Sequence, residues 1–376
     1  CVAVAKGDSV RITAGALERE AIRPHVFGSF RAMLQAVMHH PAMLIYLDQR
    51  QSVGPDSRAG TRRGRGLNEN LARELLELHT LGVDGGYRQD DVTTLAKVLT
   101  GWTVAGRFDE DGDLGAFYFN ANRHDPGPKT LLGRTYADDG LGQGEKVLDD
   151  LARHPATARH IALKLARHFI ADEPPPAVVA RLAETFTRTG GDLGKVSLAL
   201  LDVSRPLGTP TKLRQPLEFV VTALRATGRP LDLGQALYMS QLMGQGLWNP
   251  SGPNGFPDTD AQWAAPETLK VRLEAALTIA RQTPGTANPS AMLAALLGPA
   301  AAPGSGTPQV AGSSAGLGGR GPGLGDGAGG GGAGPAVPAS AQSPPPPSVA
   351  AAEARSRKGA GAGAGAPGEA TASGLR

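Results

Sequence analysis

The stretch Asn68–Gly86, NENLARELLELHTLGVDGG, decides the fold. Asn68 can cap a helix start by accepting backbone N–H bonds, and Gly82, just past Leu81, suits the left-handed residue that ends a helix. At about 100° per residue, Glu69, Asn70, Arg73, Glu74, Glu77 and Thr80 fall within one arc of about 140°. Leu71, Ala72, Leu75, Leu76, Leu78 and His79 fill the other side. The polar stripe has two readings. One is a solvated face on which Glu69, Arg73 and Glu77, four residues apart, form ion pairs of about 0.2–0.5 kcal/mol each. The other sets the stripe in a cleft, where Glu74 and Glu77 hold a cation or share acid–base work while Arg73 tunes their pKa values or grips an anion. His79, amid leucines, reads as a core histidine with one ring nitrogen bonded to a carbonyl.

Working outward, the same helical period recurs near residues 14–23, 28–39, 90–102, 145–153, 155–171, 176–189, 192–203, 213–227, 231–245 and 266–282, with short Gly/Pro/Asp connectors between them. Thr103–Phe108 and Ala116–Asn120 are β-prone and flank the turn dipeptide Asp111-Gly112, which predicts a hairpin. The expectation is an all-α, multi-helix domain over residues 1–298 with one small β-hairpin excursion. Residues 299–376 are almost entirely Gly, Ala, Pro and Ser without an aromatic residue, and so are expected to form a disordered tail: they cannot bury enough apolar area to offset about 1–2 kcal/mol of backbone entropy per residue.

Composition excludes several classes. Among 376 residues there is one cysteine, Cys1, so no internal disulfide can form. No apolar run approaches the ~20 residues of a membrane-spanning helix. The formal charge is +3, and the tail carries five basic and three acidic residues, so the helical part is nearly neutral. A pI of about 9.1 therefore has no basic face behind it, and nucleic acid is not an expected partner. Arg58, Arg62, Arg63 and Arg65 lack interleaved aromatics and read as a solvated connector. Cys1–Ala5 resembles the interior of a longer protein, which would place any export signal upstream.

Motifs for known chemistries are sparse. HExxH, paired CxxC, Glu-x-x-His, GxSxG and a Walker loop are all missing, and no metal site is predicted. Asp109, Asp111 and Asp113 imitate the start of a calcium loop, but Leu114 and Asn120 occupy the places of its Gly and Glu. The helix beginning at Pro155 gathers His160, Lys164 and Arg167 on a basic stripe opposite Ala158, Ile161, Ala162, Leu165, Ala166 and Phe169. That stripe either docks on the acidic face of the 69–77 helix or binds an anion such as phosphate, sulfate or carboxylate.

Several long motifs then occur in order: HPAMLIYLD (His40–Asp48), the 68–104 stretch, HDPGPKTLLG (His124–Gly133), HPATARHIALKLARHFIAD (His154–Asp172) and KLRQPLEFVVTALRATG (Lys212–Gly228). Together they resemble the bacterial domain-of-unknown-function-1800 family from about Val10 to Ala280. The resemblance implies an exported, mainly helical bacterial protein, often encoded beside a sulfatase-like family, with no activity established for the class; any cofactor is unknown. The chain is expected to depart from the pattern at both ends, lacking the family's N-terminal part and carrying a Gly/Ala/Pro tail, such as a shifted reading frame would give, in place of the usual helical C-terminus. Two functions stay open: a scaffold whose helical surface binds a partner, for instance the sulfatase-like neighbour, or a hydrolase using Glu74 and Glu77 with Arg73, joined by His124 and Asp125.

Overall fold

The computed structural model describes residues 2–63, 66–107, 113–204, 212–227 and 232–283. The tail over 299–376 and the turn holding Asp109 and Asp111 lie outside the described residues. Helices α1 (Asp8–Ala16), α2 (Phe30–His39) and α3 (Pro41–Tyr46) come first, and α1 widens into a π-helical turn over Leu17–Ile22. A short helix, α4 (Arg58–Arg63), forms where the arginines read as a connector. Then come α5 (Asn70–Glu74), which continues as a second π-helical turn over Leu75–His79, and α6 (Gln89–Val98). Two antiparallel strand pairs succeed them, β1 (Trp102–Val104) with β2 (Phe117–Phe119) and β3 (Lys129–Leu131) with β4 (Arg134–Tyr136). The remaining helices are α7 (Leu141–Arg153), α8 (Pro155–Phe169), α9 (Pro176–Arg188), α10 (Leu193–Ser204), α11 (Pro216–Ala226), α12 (Leu233–Leu242), α13 (Asp260–Trp263) and α14 (Pro266–Arg281).

The protein is thus mainly helical, as the periodicity predicts, with the expected β1–β2 hairpin in place. The β3–β4 pair is an addition. Its strands are three residues long, too short for alternation to register, and its turn places Leu132 and Gly133 both at positive φ (50° and 78°). Leucine is uncommon there. The Leu132 N–H donates to Asp91 Oδ1 at 3.0 Å, and its side chain packs on the core.

Histidine and proline start two helices in the same way. His40 precedes Pro41 and His154 precedes Pro155; in each case the ring Nδ1 accepts the N–H of the residue after the proline at 3.1 Å. Proline at the first helical position forfeits a donor that had no partner, and the imidazole satisfies the next one.

The main core gathers Met38, Met43, Leu71, Leu75, Leu76, Leu95, Leu99, Trp102 and Leu148, all fully buried. A smaller core, Val220, Leu224, Ala236, Met239, Met243, Ala275 and Ile279, joins α11, α12 and α14. Trp248 reaches back to the start of the chain. It sits at φ 49°, its carbonyl accepts the Val4 N–H at 2.8 Å, and its indole N–H donates to Glu18 at 3.1 Å. One expected core residue turns outward: Phe169 is 57% exposed, because it ends α8 at a cleft shared with Trp263 instead of beneath a neighbouring helix.

Trp102 is packed from one side by Gly144 of α7, where an added Cβ would lie 2.4 Å from the indole Cζ2. Gly144→Ala should therefore cost about 1–3 kcal/mol of unfolding free energy, the usual range for overpacking, read as a lower urea midpoint at unchanged slope.

Candidate functional site

The acidic rod ends differently from an ideal helix. Asn68 Oδ1 accepts the Asn70 N–H at 2.9 Å, and Gly82 takes φ 84°, so both termini agree with the sequence pattern. Between them the π-helical turn inserts an extra residue and rotates the end of the rod relative to its start. Thr80 consequently leaves the polar arc and is fully buried, its hydroxyl donating to the Leu75 carbonyl at 2.6 Å, while Leu78 becomes only half-buried. His79 donates from Nδ1 to the Glu74 carbonyl at 2.8 Å, the bond expected of a core histidine. Burial pushes its pKa down to about 4.

The stripe itself divides. Glu69 accepts from Arg73 at 3.0 Å, from Gln89 at 2.9 Å and from Thr93 at 2.7 Å, which ties α5 to α6 and accounts for Arg73 as well. Glu74 and Glu77 are half-buried and, among the described residues, their carboxylates accept no hydrogen bond and form no ion pair. Burial raises the Glu74 pKa above the usual carboxylate value, and the neighbouring Glu77 charge adds to the rise. Tyr46 and Tyr87 face the same field: each phenol is raised first by burial and then by these carboxylates. Two carboxylates one turn apart, one of them with its pKa raised by burial, are the kind of pair from which an acid and a base can be drawn.

His124 and Asp125 have other partners. His124 donates from Nδ1 to the Thr100 carbonyl at 2.9 Å, and its Nε2 lies 3.5 Å from Asp138 Oδ1. The Asp125 carboxylate accepts the Asp56 N–H at 3.1 Å, and the Asp125 N–H donates to the Thr100 hydroxyl at 2.8 Å. Lys129 is buried beside them, donating to the carbonyls of Asp125 at 2.6 Å and Gly127 at 3.0 Å, and burial lowers its pKa. This knot fastens the 54–57 loop, the end of α6 and the β3 strand together. It is so close that a Cβ on Gly54 would fall 2.6 Å from the Asp125 backbone. None of these bonds brings His124 or Asp125 to Glu74 or Glu77.

The basic stripe of α8 is likewise spoken for. His160 donates from Nε2 to the Leu78 carbonyl at 3.2 Å, at the close crossing that Gly82 permits, so α8 does meet the acidic rod, but through its backbone. Lys164 pairs with Asp258, and Arg167 donates to the Asp172 carbonyl at 3.1 Å. These contacts open onto a network the sequence does not announce. Lys212 reaches Asp172, Asp260 at 3.0 Å and the Asp258 carbonyl at 2.7 Å, and its pKa is raised: burial works to lower it, but Asp172 and Asp260 together outweigh that effect. A cleft of about 250 Å³ beside it is lined by Phe169, Arg214, Glu218 and Trp263 as well as Lys212 and Asp260. The only sequence signals are that Lys212 opens the KLRQPLEF motif and that Asp258 and Asp260 stand two residues apart, while Asp172 lies far from both in the chain. Among the described residues no group of three or more His, Cys, Asp or Glu side chains is placed to hold a metal ion, and no helix is long and apolar enough to cross a membrane.

The architecture is that of a mainly helical protein whose polar clusters chiefly brace its loops. The chain belongs to the family described as Protein of unknown function (DUF1800), whose family model matches residues 1–313. Comparison with curated proteins and with solved structures gives no match.

Two titrations act in opposite directions on stability. The folded pKa of Glu74 lies above its ordinary 4.5, so its contribution is full below pH 4.5 and is lost as pH rises through the folded value. His79, ordinarily 6.5, is lowered to about 4, so its contribution is present above pH 6.5 and is lost as pH falls toward 4. Glu74→Gln should raise the urea midpoint relative to wild type at about pH 7.5 and lose that advantage by about pH 3.5. A constant difference at both pH values would show that Glu74 is not desolvated.

Proposed function

We propose that the protein acts as a partner-binding scaffold of the bacterial cell envelope. The observation that carries this reading is the outward placement of large apolar side chains on its later helices. Leu198 and Leu201 of α10 and Leu233, Tyr238 and Leu242 of α12 are all exposed. Single exposed leucines are ordinary, but Tyr238 and Leu242, one turn apart on the same face of α12, suit a surface that another protein covers. The family resemblance supports an exported location and makes a sulfatase-like protein encoded nearby the first partner to test. The reading also agrees with the polar clusters: His124, Asp125, Lys164 and Arg167 are engaged in bonds within the chain, which leaves them bracing loops.

The test is cross-linking in the native envelope from a photoreactive residue at position 238, then purification under native conditions. A stoichiometric heteromeric complex is expected; Tyr238→Ser with Leu242→Ser should abolish it, and Glu74→Gln should leave it intact. Recovery of the protein free of any partner in both backgrounds would refute the scaffold reading.

A hydrolase is the second reading, favoured by one observation: the raised, unpaired Glu74 beside Glu77. It requires that any hydrolytic activity of the purified chain fall at least about 100-fold in both Glu74→Gln and Glu77→Gln, the usual scale of an acid–base contribution. Activity unchanged in both variants would remove these carboxylates from catalysis.

A further inference from the structure

Helix α14 presents a face that matches itself. Its inward side is fixed by Arg272, Ala275 and Ile279, all buried, with the Arg272 guanidinium 5.4 Å over the Phe219 ring. That anchoring turns Leu269, Leu273 and Leu277 outward, with exposures of 40%, 67% and 54%. At about 100° per residue these leucines and Ala280 occupy one side of the exposed arc, and Lys270, Glu274, Arg281 and Glu267 occupy the other. The helix therefore shows water an apolar seam with a single charged flank.

When two such helices meet seam to seam and antiparallel, each charged flank lies along the same flank of its copy. We propose that α14 is a self-association element and that two copies of this chain pair antiparallel along it, with Leu273 at the two-fold axis. In that register Leu269 of one copy packs on Leu277 of the other. The charges obey the same centre: Glu267 lies within two residues of the other copy's Arg281, and Lys270 within two residues of its Glu274. Glu274 then meets its own copy between two lysines. The exposed Lys270–Glu274 pair within one helix, 3.9 Å apart, becomes part of a four-charge cluster across the interface. A parallel pairing would instead put the two charged flanks on opposite edges of the seam, where they do not meet, and gain nothing electrostatic. This interface is isologous, closes after two copies and uses side chains other than the α12 residues assigned above to another protein.

Sedimentation of the full chain over a concentration series tests the association, and cysteine cross-linking tests its geometry. A reversible monomer–dimer equilibrium is expected, and Leu273→Glu should raise its dissociation constant at least tenfold with an unchanged far-ultraviolet spectrum. With Cys1→Ser as background, mild oxidation should join Leu273→Cys chains to each other. It should also join a mixture of Leu269→Cys and Leu277→Cys chains faster than it joins either alone. The proposal is overturned by a full chain that stays monomeric at every concentration, as it would if another segment of the chain or a different protein covers the seam. It is equally overturned by Leu269→Cys chains that couple with themselves as readily as Leu273→Cys chains, which would make the pairing parallel. Because Tyr238→Ser with Leu242→Ser leaves α14 untouched, failure of the scaffold reading and failure of self-pairing are distinguishable.

Discussion

Leu71, Ala72, Leu75 and Leu76 must stay dry while Glu69, Arg73 and Glu74, on the same short rod, keep contact with water. That constraint organises the first half of the protein. A regular helix would meet it as far as Leu76 and would then carry His79 into the core and Thr80 to the surface. The π-helical turn alters the phase so that Thr80, which can return its hydroxyl to a carbonyl within the turn, takes the buried place. His79 uses the carbonyl of Glu74 in the same way, and the helix ends on Gly82 where His160 crosses. The glutamates are left half-sheltered as a by-product of this packing, which is enough to account for the elevated pKa of Glu74 without any ligand.

The extent to which the sequence was legible depends on length. Helices of ten residues or more give several turns of periodic signal, and α2, α6, α8, α9, α10, α11 and α14 all appear near their predicted positions. Shorter elements such as α4, β3 and β4 provide less than two turns or two alternations and go unread, whereas β1 and β2, equally short, are signalled by β-prone residues flanking a turn dipeptide. Phase is the second limit. A wheel drawn at constant angle cannot represent the widening at Leu75–His79, nor can it know that Phe169 stands at a cleft. Chemistry is the third. His124 and Asp125 attract attention as a reactive pair because the bonds that engage them, with Thr100 and Asp56, involve residues 24 and 69 positions away. Lys212 and its acids escape notice for the mirrored reason: each is ordinary until the chain folds.

The polar interior is used mostly for mechanical ends. Lysines 129 and 212 neutralise carbonyls and carboxylates of loops that have no regular partners of their own, and two histidines replace the usual Ser, Asn or Asp at helix starts. Apolar surface is distributed the other way, with the later helices α10, α12 and α14 turning leucines outward while α5 and α6 bury theirs. A molecule built like this has a braced body and later helices with apolar outer faces, and that contrast is what the scaffold proposal rests on.

The bond between the Val4 N–H and the Trp248 carbonyl has a consequence in time. A ribosome makes the first turn of this chain long before it makes the tryptophan that holds it, at about 5–20 residues per second. For roughly ten seconds or more at that pace the nascent N-terminal helix lacks its clasp, with Leu17 and Ala21 awaiting their final surroundings. That segment is therefore made well before the residue that secures it.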